Sequence, residues 1–289
     1  MDTATRQLRL AQPFNLDETL ALNTQDFRWK RWQDGGGVNW HSGVLQGRLI
    51  HIRQINDALE YRASEDADLT DLLYSYFCLG EDIKAVHSAL SSADETMRKL
   101  VSQYPEMRVL RQPDPWECTV AFICSALKGP KAIAEIVNKV AKELGENIEL
   151  DNEQRRTFPA PRDVLANGEK LKKMELGLQR DRKIVAASER VLEEGPLERL
   201  VDVSYGEARW ELDRFDGIGG KIADCIALFS LGKREAFPVD RRVRRALKRH
   251  YKDTKNVSDD TLALWGTDTF GEHAGYASQL LYLDGAGST

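Results

Sequence analysis

The sequence predicts an α+β protein, with an antiparallel sheet near the N-terminus and a mainly helical remainder. Three observations carry this expectation. Short β-like segments alternate with glycine turns over roughly the first sixty residues. Beyond Leu69 the apolar period changes to about 3.6. Helix-start signals then recur along most of the remaining chain.

The sheet comes first. Phe27-Arg28-Trp29-Lys30-Arg31-Trp32 alternates and reads as a strand, Gly35-Gly36-Gly37 as a turn, and residues 38–45 as a second strand. Gln46-Gly47 is the next turn, and residues 49–53 complete a meander. Leu69, Leu72, Leu73, Tyr76 and Phe77 then share one helical face. Asp114-Pro115-Trp116-Glu117 is a helix start, with Asp as N-cap, Pro in the first turn and Glu placed to reach back. The helix it opens, 119–127, is apolar enough to be central, and Gly129-Pro130 ends it and starts another that runs toward Leu144. The charged stretch 151–157 reads as a loop or insertion, and 159–162 as a loop. Ser204 and Glu207 have capping-box spacing ahead of 208–212.

A chain of 289 residues can form one large domain or two ordinary ones. The expected division is an N-terminal sheet domain with its following helices over 1–108 and a helical domain over 109–289. A hydrophobic content of 42% with 30% charged residues excludes a disordered chain. No apolar run reaches the roughly 18 residues of a membrane span. The N-terminus shows no apolar targeting segment, so the expected location is cytoplasm or nucleoid in a prokaryote, with a nucleus left open. Cys78, Cys118, Cys124 and Cys225 lie in apolar or helical stretches without a C-x-x-C pair. Buried free thiols are therefore expected, not disulfides, zinc or an iron–sulfur cluster.

The net charge of −5 argues against a nucleic-acid partner, but charge is not evenly spread. Lys233, Arg234, Arg241, Arg242, Arg244, Arg245, Lys248, Arg249, Lys252 and Lys255 face only Glu235, Asp240 and Asp253 within 233–255. Salt screens distant charges beyond about 10 Å, so a local cluster decides where phosphate settles. The alternative is a solvated basic helix face.

The chemistry is concentrated in 212–240. A helix ending near Phe215, the glycines Gly217, Gly219 and Gly220, and an apolar helix from Lys221 onward form a helix-hairpin-helix pattern. The glycines permit positive φ and close backbone approach, and the exposed amides of the second helix can bind a DNA phosphate without reading a base. Ile218 would anchor the hairpin in the core. An ordinary helix–helix turn is the alternative. Lys221 falls in the first turn of a helix, where the dipole repels a cation. That repulsion favours the uncharged amine that a Schiff-base nucleophile needs; the plainer role is one more phosphate contact. Asp240, in Phe237-Pro238-Val239-Asp240, is placed either as a carboxylate beside the lysine or simply as the next helix's N-cap.

The run Gly217-Ile218-Gly219-Gly220-Lys221-Ile222-Ala223-Asp224-Cys225, followed by Pro238-Val239-Asp240, resembles the signature of the 8-oxoguanine DNA glycosylase/AP lyase family. Asp26-Phe27-Arg28-Trp29, Gly43-Val44-Leu45, Asp114-Pro115-Trp116-Glu117, Phe122-Ile123-Cys124-Ser125 and Ala274-Gly275-Tyr276-Ala277 extend the resemblance over nearly the whole chain.

The resemblance implies an N-terminal antiparallel sheet packed on a helical helix-hairpin-helix glycosylase domain, with the hairpin at about 205–229 and the active site in a cleft. It implies a bifunctional enzyme that excises an oxidised purine from duplex DNA through a Lys221 Schiff base, with Asp240 as its carboxylate, and cuts the strand by β-elimination. Cys225, Phe229, Tyr282, Ser278 and Thr24 match pocket positions. Gly217, Gly219, Gly220 and Arg242 match backbone contacts, and Leu127 and Leu178 the duplex wedge. No cofactor is implied beyond a monovalent cation at the hairpin carbonyls; the expected state is a monomer on damaged double-stranded DNA, away from membranes.

Several positions depart from the family pattern. Leu127-Lys128-Gly129 replaces an asparagine run, Leu178-Gln179 a tyrosine and arginine, Thr24 a glycine, Ser278 a glutamine and Phe229 a methionine. The catalytic pair matches while the recognition positions differ. Two other readings follow: the same chemistry on another damaged base, or a non-catalytic DNA-binding module.

Overall fold

The computed structural model describes residues 4–25, 27–251, 254 and 257–287. Asp26, Lys252, Asp253 and Lys255 lie outside the described residues. The chain folds as two compact units, one of Met1–Leu79 with Gln112–Leu197, the other of Gly80–Arg111 with Glu198–Thr289. This differs from the expected contiguous division at 108/109, because each unit combines two stretches of chain.

The first unit carries the predicted antiparallel sheet. Its strands are β1 (Arg6–Arg9), β2 (Lys30–Gln33), β3 (Asn39–Leu45), β4 (Arg48–Ile55) and β5 (Ala58–Ala63), in the order β1-β5-β4-β3-β2. Gln46 and Gly47 both have positive φ (46° and 77°), as a two-residue hairpin turn between β3 and β4 requires. The strand expected over 27–32 begins only at Lys30. Phe27 and Arg28 are both buried, which a half-exposed alternating strand does not allow. Phe27 packs on Ala121, Ile133 and Val137, and the Arg28 guanidinium pairs with Glu117 at 3.3 Å. Gly43 is required by close approach, since an added Cβ would sit 2.5 Å from the Trp29 ring.

The stretch 151–157, expected as a loop, is mostly strand. β6 (Asn147–Leu150) and β7 (Glu153–Arg156) form a hairpin about Asp151 and Asn152, both left-handed at φ 48° and 66°. Its charge misleads because Arg155 is buried, donating to the Arg28 carbonyl at 2.8 Å and to Ser42 Oγ at 3.3 Å. The loop expected at 159–162 is shorter, as Pro161 opens the helix Pro161–Ala166.

Asp114 caps the helix Pro115–Ile123 through the amides of Trp116 and Glu117, and every residue of that helix is buried. The helix stops at Ile123 rather than 127. Ser125 Oγ donates back to the Phe122 carbonyl at 2.6 Å, and Leu127 turns left-handed. Burial holds the Glu117 carboxyl up at about 7, against the opposing charge of Arg28.

The second unit is helical. Ile83–Ala93 and Glu95–Gln103 join the helices Tyr205–Asp213, Gly220–Phe229, Arg241–His250, Asp259–Phe270 and Ala274–Ala286. Side chains explain why residues 80–111 belong here. Tyr251 donates to Asp94 at 2.8 Å, Arg234 and Tyr276 both donate to Glu81, and Arg111 donates to the Ser230 carbonyl at 3.2 Å. All four cysteines are buried free thiols. Among the described residues, no helix is long and apolar enough to cross a membrane, and no group of three or more His, Cys, Asp or Glu side chains could hold a metal ion.

Candidate active site

The hairpin of the second unit is built as its sequence predicts. Ser204 and Glu207 form a reciprocal capping box at the start of Tyr205–Asp213. Two of the three glycines are required by geometry. Gly217 adopts φ 81°. Gly219 is the N-cap of Gly220–Phe229, with open space where a Cβ would be. An added Cβ at Gly220 would lie 2.5 Å from Arg209 Nη2 and 2.4 Å from Asp260 Oδ1. Ile218 between them is buried and anchors the turn. The amides of Gly217, Gly219 and Gly220 have no acceptor among the described residues. They stand at a helix N-terminus, where a phosphate oxygen is favoured.

Lys221 occupies the first turn of that helix and is half-buried. One turn on lies the buried Cys225 thiol, which the Lys221 ammonium influences electrostatically. Burial pushes this thiol up to about 12; Lys221 pulls it down, and the Asp240 carboxylate pushes it up. The charges of both members of the predicted pair therefore act on Cys225. Asp240 is also the N-cap that its sequence position allowed. Its Oδ1 accepts from the amides of Arg242 and Val243, each at 2.8 Å. Both capping bonds fall on Oδ1.

The remaining predicted positions are distributed as follows. Phe229 and Tyr282 are buried in this unit. Ser278 is buried too, with its hydroxyl donating to the Pro238 carbonyl at 2.8 Å. Arg242 donates to Tyr282 Oη at 2.8 Å, with its guanidinium 4.8 Å from the ring centroid. Arg244 pairs with Asp259, and Arg245 and Arg249 donate to the Gly285 carbonyl and Asp284, both at 3.0 Å. Arg241 is exposed and has no partner among the described residues. Thr24, Leu127 and Leu178 belong to the first unit. Both leucines are solvent-exposed, at 75% and 52%, and both have left-handed backbones (φ 58° and 51°). For a residue with a Cβ that conformation costs about 1–2 kcal/mol.

Two features escaped sequence reasoning. Arg180 opens the helix Arg180–Glu194 and is buried at 1% exposure. A cation in the first turn of a helix is misplaced for stability, the same signal that marks Lys221. Asp224 is buried beneath the hairpin, accepting from Tyr205 Oη at 2.7 Å and Arg209 Nε at 2.9 Å. Burial raises its pKa, opposed by those two donors. Tyr205, Arg209 and Asp224 tie the two hairpin helices together.

Residues 7–119 match the model of the 8-oxoguanine DNA glycosylase N-terminal domain. An N-glycosylase/DNA lyase of Arabidopsis thaliana is 29% identical over 282 residues, covering 90% of this chain and 74% of its own. A Saccharomyces cerevisiae N-glycosylase/DNA lyase is 28% identical, covering 80% and 67%. Among solved structures, the Clostridium acetobutylicum 8-oxoguanine glycosylase/lyase, in complex with duplex DNA containing cytosine opposite 8-oxoguanine, superposes with a TM-score of 0.86. It is 25% identical, with 99% of each chain covered.

The chain is thus similar to the 8-oxoguanine DNA glycosylase N-terminal domain over residues 7–119, and to N-glycosylase/DNA lyases over most of its length. The matched residues 7–119 span the sheet, the helices up to Gln103 and the start of Pro115–Ile123, whereas the lysine, cysteine and aspartate lie downstream. The full-length structural likeness extends over that downstream region as well.

Proposed function

We propose that the chain is a bifunctional base-excision repair enzyme that removes an oxidised purine, 8-oxoguanine, from duplex DNA and then cuts the strand. The observation that carries this is the placement of a half-buried lysine, Lys221, in the first turn of the hairpin's second helix and of Asp240 as the N-cap of the next, with both charges acting on the buried Cys225 thiol. A base inside a duplex is out of reach, so the damaged nucleotide leaves the stack first, at a cost of a few kcal/mol. The hairpin amides hold the phosphate. The Lys221 amine forms a bond to C1′ as the glycosidic C1′–N9 bond breaks, and the base departs with the bonding electrons and gains a proton. Asp240 stabilises the positive charge that develops on the sugar. Opening of the sugar ring gives a Lys221–C1′ Schiff base. Loss of a C2′ proton then expels the 3′ phosphate by β-elimination.

Cys225, Phe229, Tyr282 and Ser278 are assigned to the base pocket and Arg242 to a phosphate; Thr24, in the first unit, keeps only its match to a family pocket position. Arg242 must leave Tyr282 to reach a phosphate. A monovalent cation fits the hairpin, because the Asp216, Gly217 and Ile218 carbonyls accept no hydrogen bond among the described residues. It would add to phosphate binding only. The enzyme is taken to act as a monomer on double-stranded DNA in the cytoplasm or nucleoid.

A second reading, the same chemistry on another damaged base, is favoured by one observation. The Ser278 hydroxyl is engaged by the Pro238 carbonyl, so its donor is committed away from a base.

The test is single-turnover excision of 8-oxoguanine opposite each of the four bases. Leu127, Ala132 and Gln179 stand where the family holds polar side chains for the orphaned cytosine. Two of these three cannot hydrogen-bond through their side chains, and an unpaired polar edge costs roughly 1–3 kcal/mol. Excision should occur opposite all four bases, with a cytosine preference below about 100-fold, which corresponds to about 2.7 kcal/mol. No excision opposite any base would move the assignment to another lesion.

A further inference from the structure

One buried guanidinium joins the two loops that bear the exposed leucines. Arg180 Nε donates to the Cys124 carbonyl at 3.1 Å, and Nη2 donates to the Ala126 carbonyl. Nη1 donates to the carbonyls of Leu176 at 2.8 Å and Gly177 at 3.2 Å. The carbonyls of Ala126 and Gly177 are the ones immediately before Leu127 and Leu178. A planar fork with fixed N–H directions therefore sets the peptide that precedes each leucine. Leu127, Leu178 and Gln179 all hold left-handed backbones, and Gly177 has φ 71°. Left alone, leucine leaves that region of φ for an extended or right-handed one. Arg180 is the internal group that bonds both turns at once.

We infer that Arg180 is a positioning residue that presents Leu127 and Leu178 as one preformed apolar ridge, which fills the gap left in the base stack by the extruded nucleotide. This rests on the glycosylase reading above and assigns its duplex-opening step to a side chain that touches no DNA. The ridge is aliphatic, so it occupies the gap without hydrogen-bonding the orphaned base. A lysine cannot replace the arginine, because one ammonium cannot span four carbonyls in two loops.

Two readouts separate positioning from mere structure. The first compares Schiff-base trapping on single-stranded abasic DNA, which needs no opening, with excision from a duplex. The second is 2-aminopurine fluorescence opposite a tetrahydrofuran abasic analogue in a duplex, which reports opening without chemistry. Arg180→Lys should lower the ratio of duplex to single-strand rates by at least about tenfold and abolish the fluorescence rise on binding. Leu127→Ala with Leu178→Ala, at exposed positions, should do the same, and adding Arg180→Lys to that pair should lower the ratio no further. Equal losses on both substrates, or an unchanged ratio, would overturn the inference. If Arg180→Lys does not fold, the leucine pair decides: wild-type opening without the ridge leaves Arg180 nothing to position. If the wild-type chain traps no abasic DNA, the glycosylase reading fails, while the fluorescence still tests the ridge.

Discussion

Asp240 combines a cap and a charge in one side chain, and its geometry keeps the two apart. Oδ1 accepts both capping bonds, and in the proposed mechanism Oδ2 faces the charge on the sugar. Asn matches Asp as an N-cap. Asp240→Asn should therefore change stability by less than about 0.5 kcal/mol while lowering excision by about 10²-fold or more. A urea titration beside a single-turnover assay reads both numbers. Full excision by the folded variant would leave the carboxylate with the cap alone. Glu117 makes a second residue-scale prediction. Burial holds its carboxyl at about 7, above its ordinary 4.5, so the folded state binds a proton that the unfolded state has lost between those values. The stabilisation from this shift is complete below about 4.5 and disappears as pH rises through about 7. Against Glu117→Gln, the urea midpoint of the unchanged protein should fall over that window. A pH-independent difference would mean that Arg28 offsets the burial entirely.

The basic helix Arg241–His250 reads, as sequence, either as a phosphate-binding cluster or as a solvated basic face. Its partners divide it. Arg244 pairs with Asp259, Arg249 with Asp284, Arg245 binds the C-terminal end of the last helix and Arg242 lies on Tyr282. Arg241 remains exposed. Arg241→Ala should therefore reduce the slope of log K against log salt by about 1, and Arg244→Ala should leave the slope in place while lowering the melting temperature. The opposite ranking would show that the ion pairs open on DNA. At this scale, local signals were legible wherever one side chain determines a backbone choice. Asp114, Ser204, Gly217 and Gly220 do what their positions announce. Signals failed where burial overrode composition. Arg155 made a strand look like a loop, and Phe27 with Arg28 made a buried turn look like a strand. Arg180 was passed over because its acceptors are carbonyls from two distant loops, and sequence does not display backbone partners.

For the whole molecule, the antiparallel sheet and the helical remainder were readable from periodicity, but the division into units was not. Residues 80–111 join the second unit through Glu81, Asp94 and Arg111, whose partners lie more than 100 positions away in the chain. The local setting of the proposed catalytic pair was readable because it falls on a continuous stretch, one helix and the cap of the next. The net charge of −5 does not bear on the proposed hairpin contact, which would offer phosphate backbone amides rather than side chains. The central claim is that Lys221 becomes covalently attached to the sugar. It is tested by borohydride trapping on 8-oxoguanine duplex DNA, with the adduct mapped by mass spectrometry in the unchanged protein and in Lys221→Gln. One adduct on Lys221, lost in the variant while DNA binding persists, is the predicted result. A borohydride-stable adduct on any other residue, or one that survives in Lys221→Gln, would contradict it.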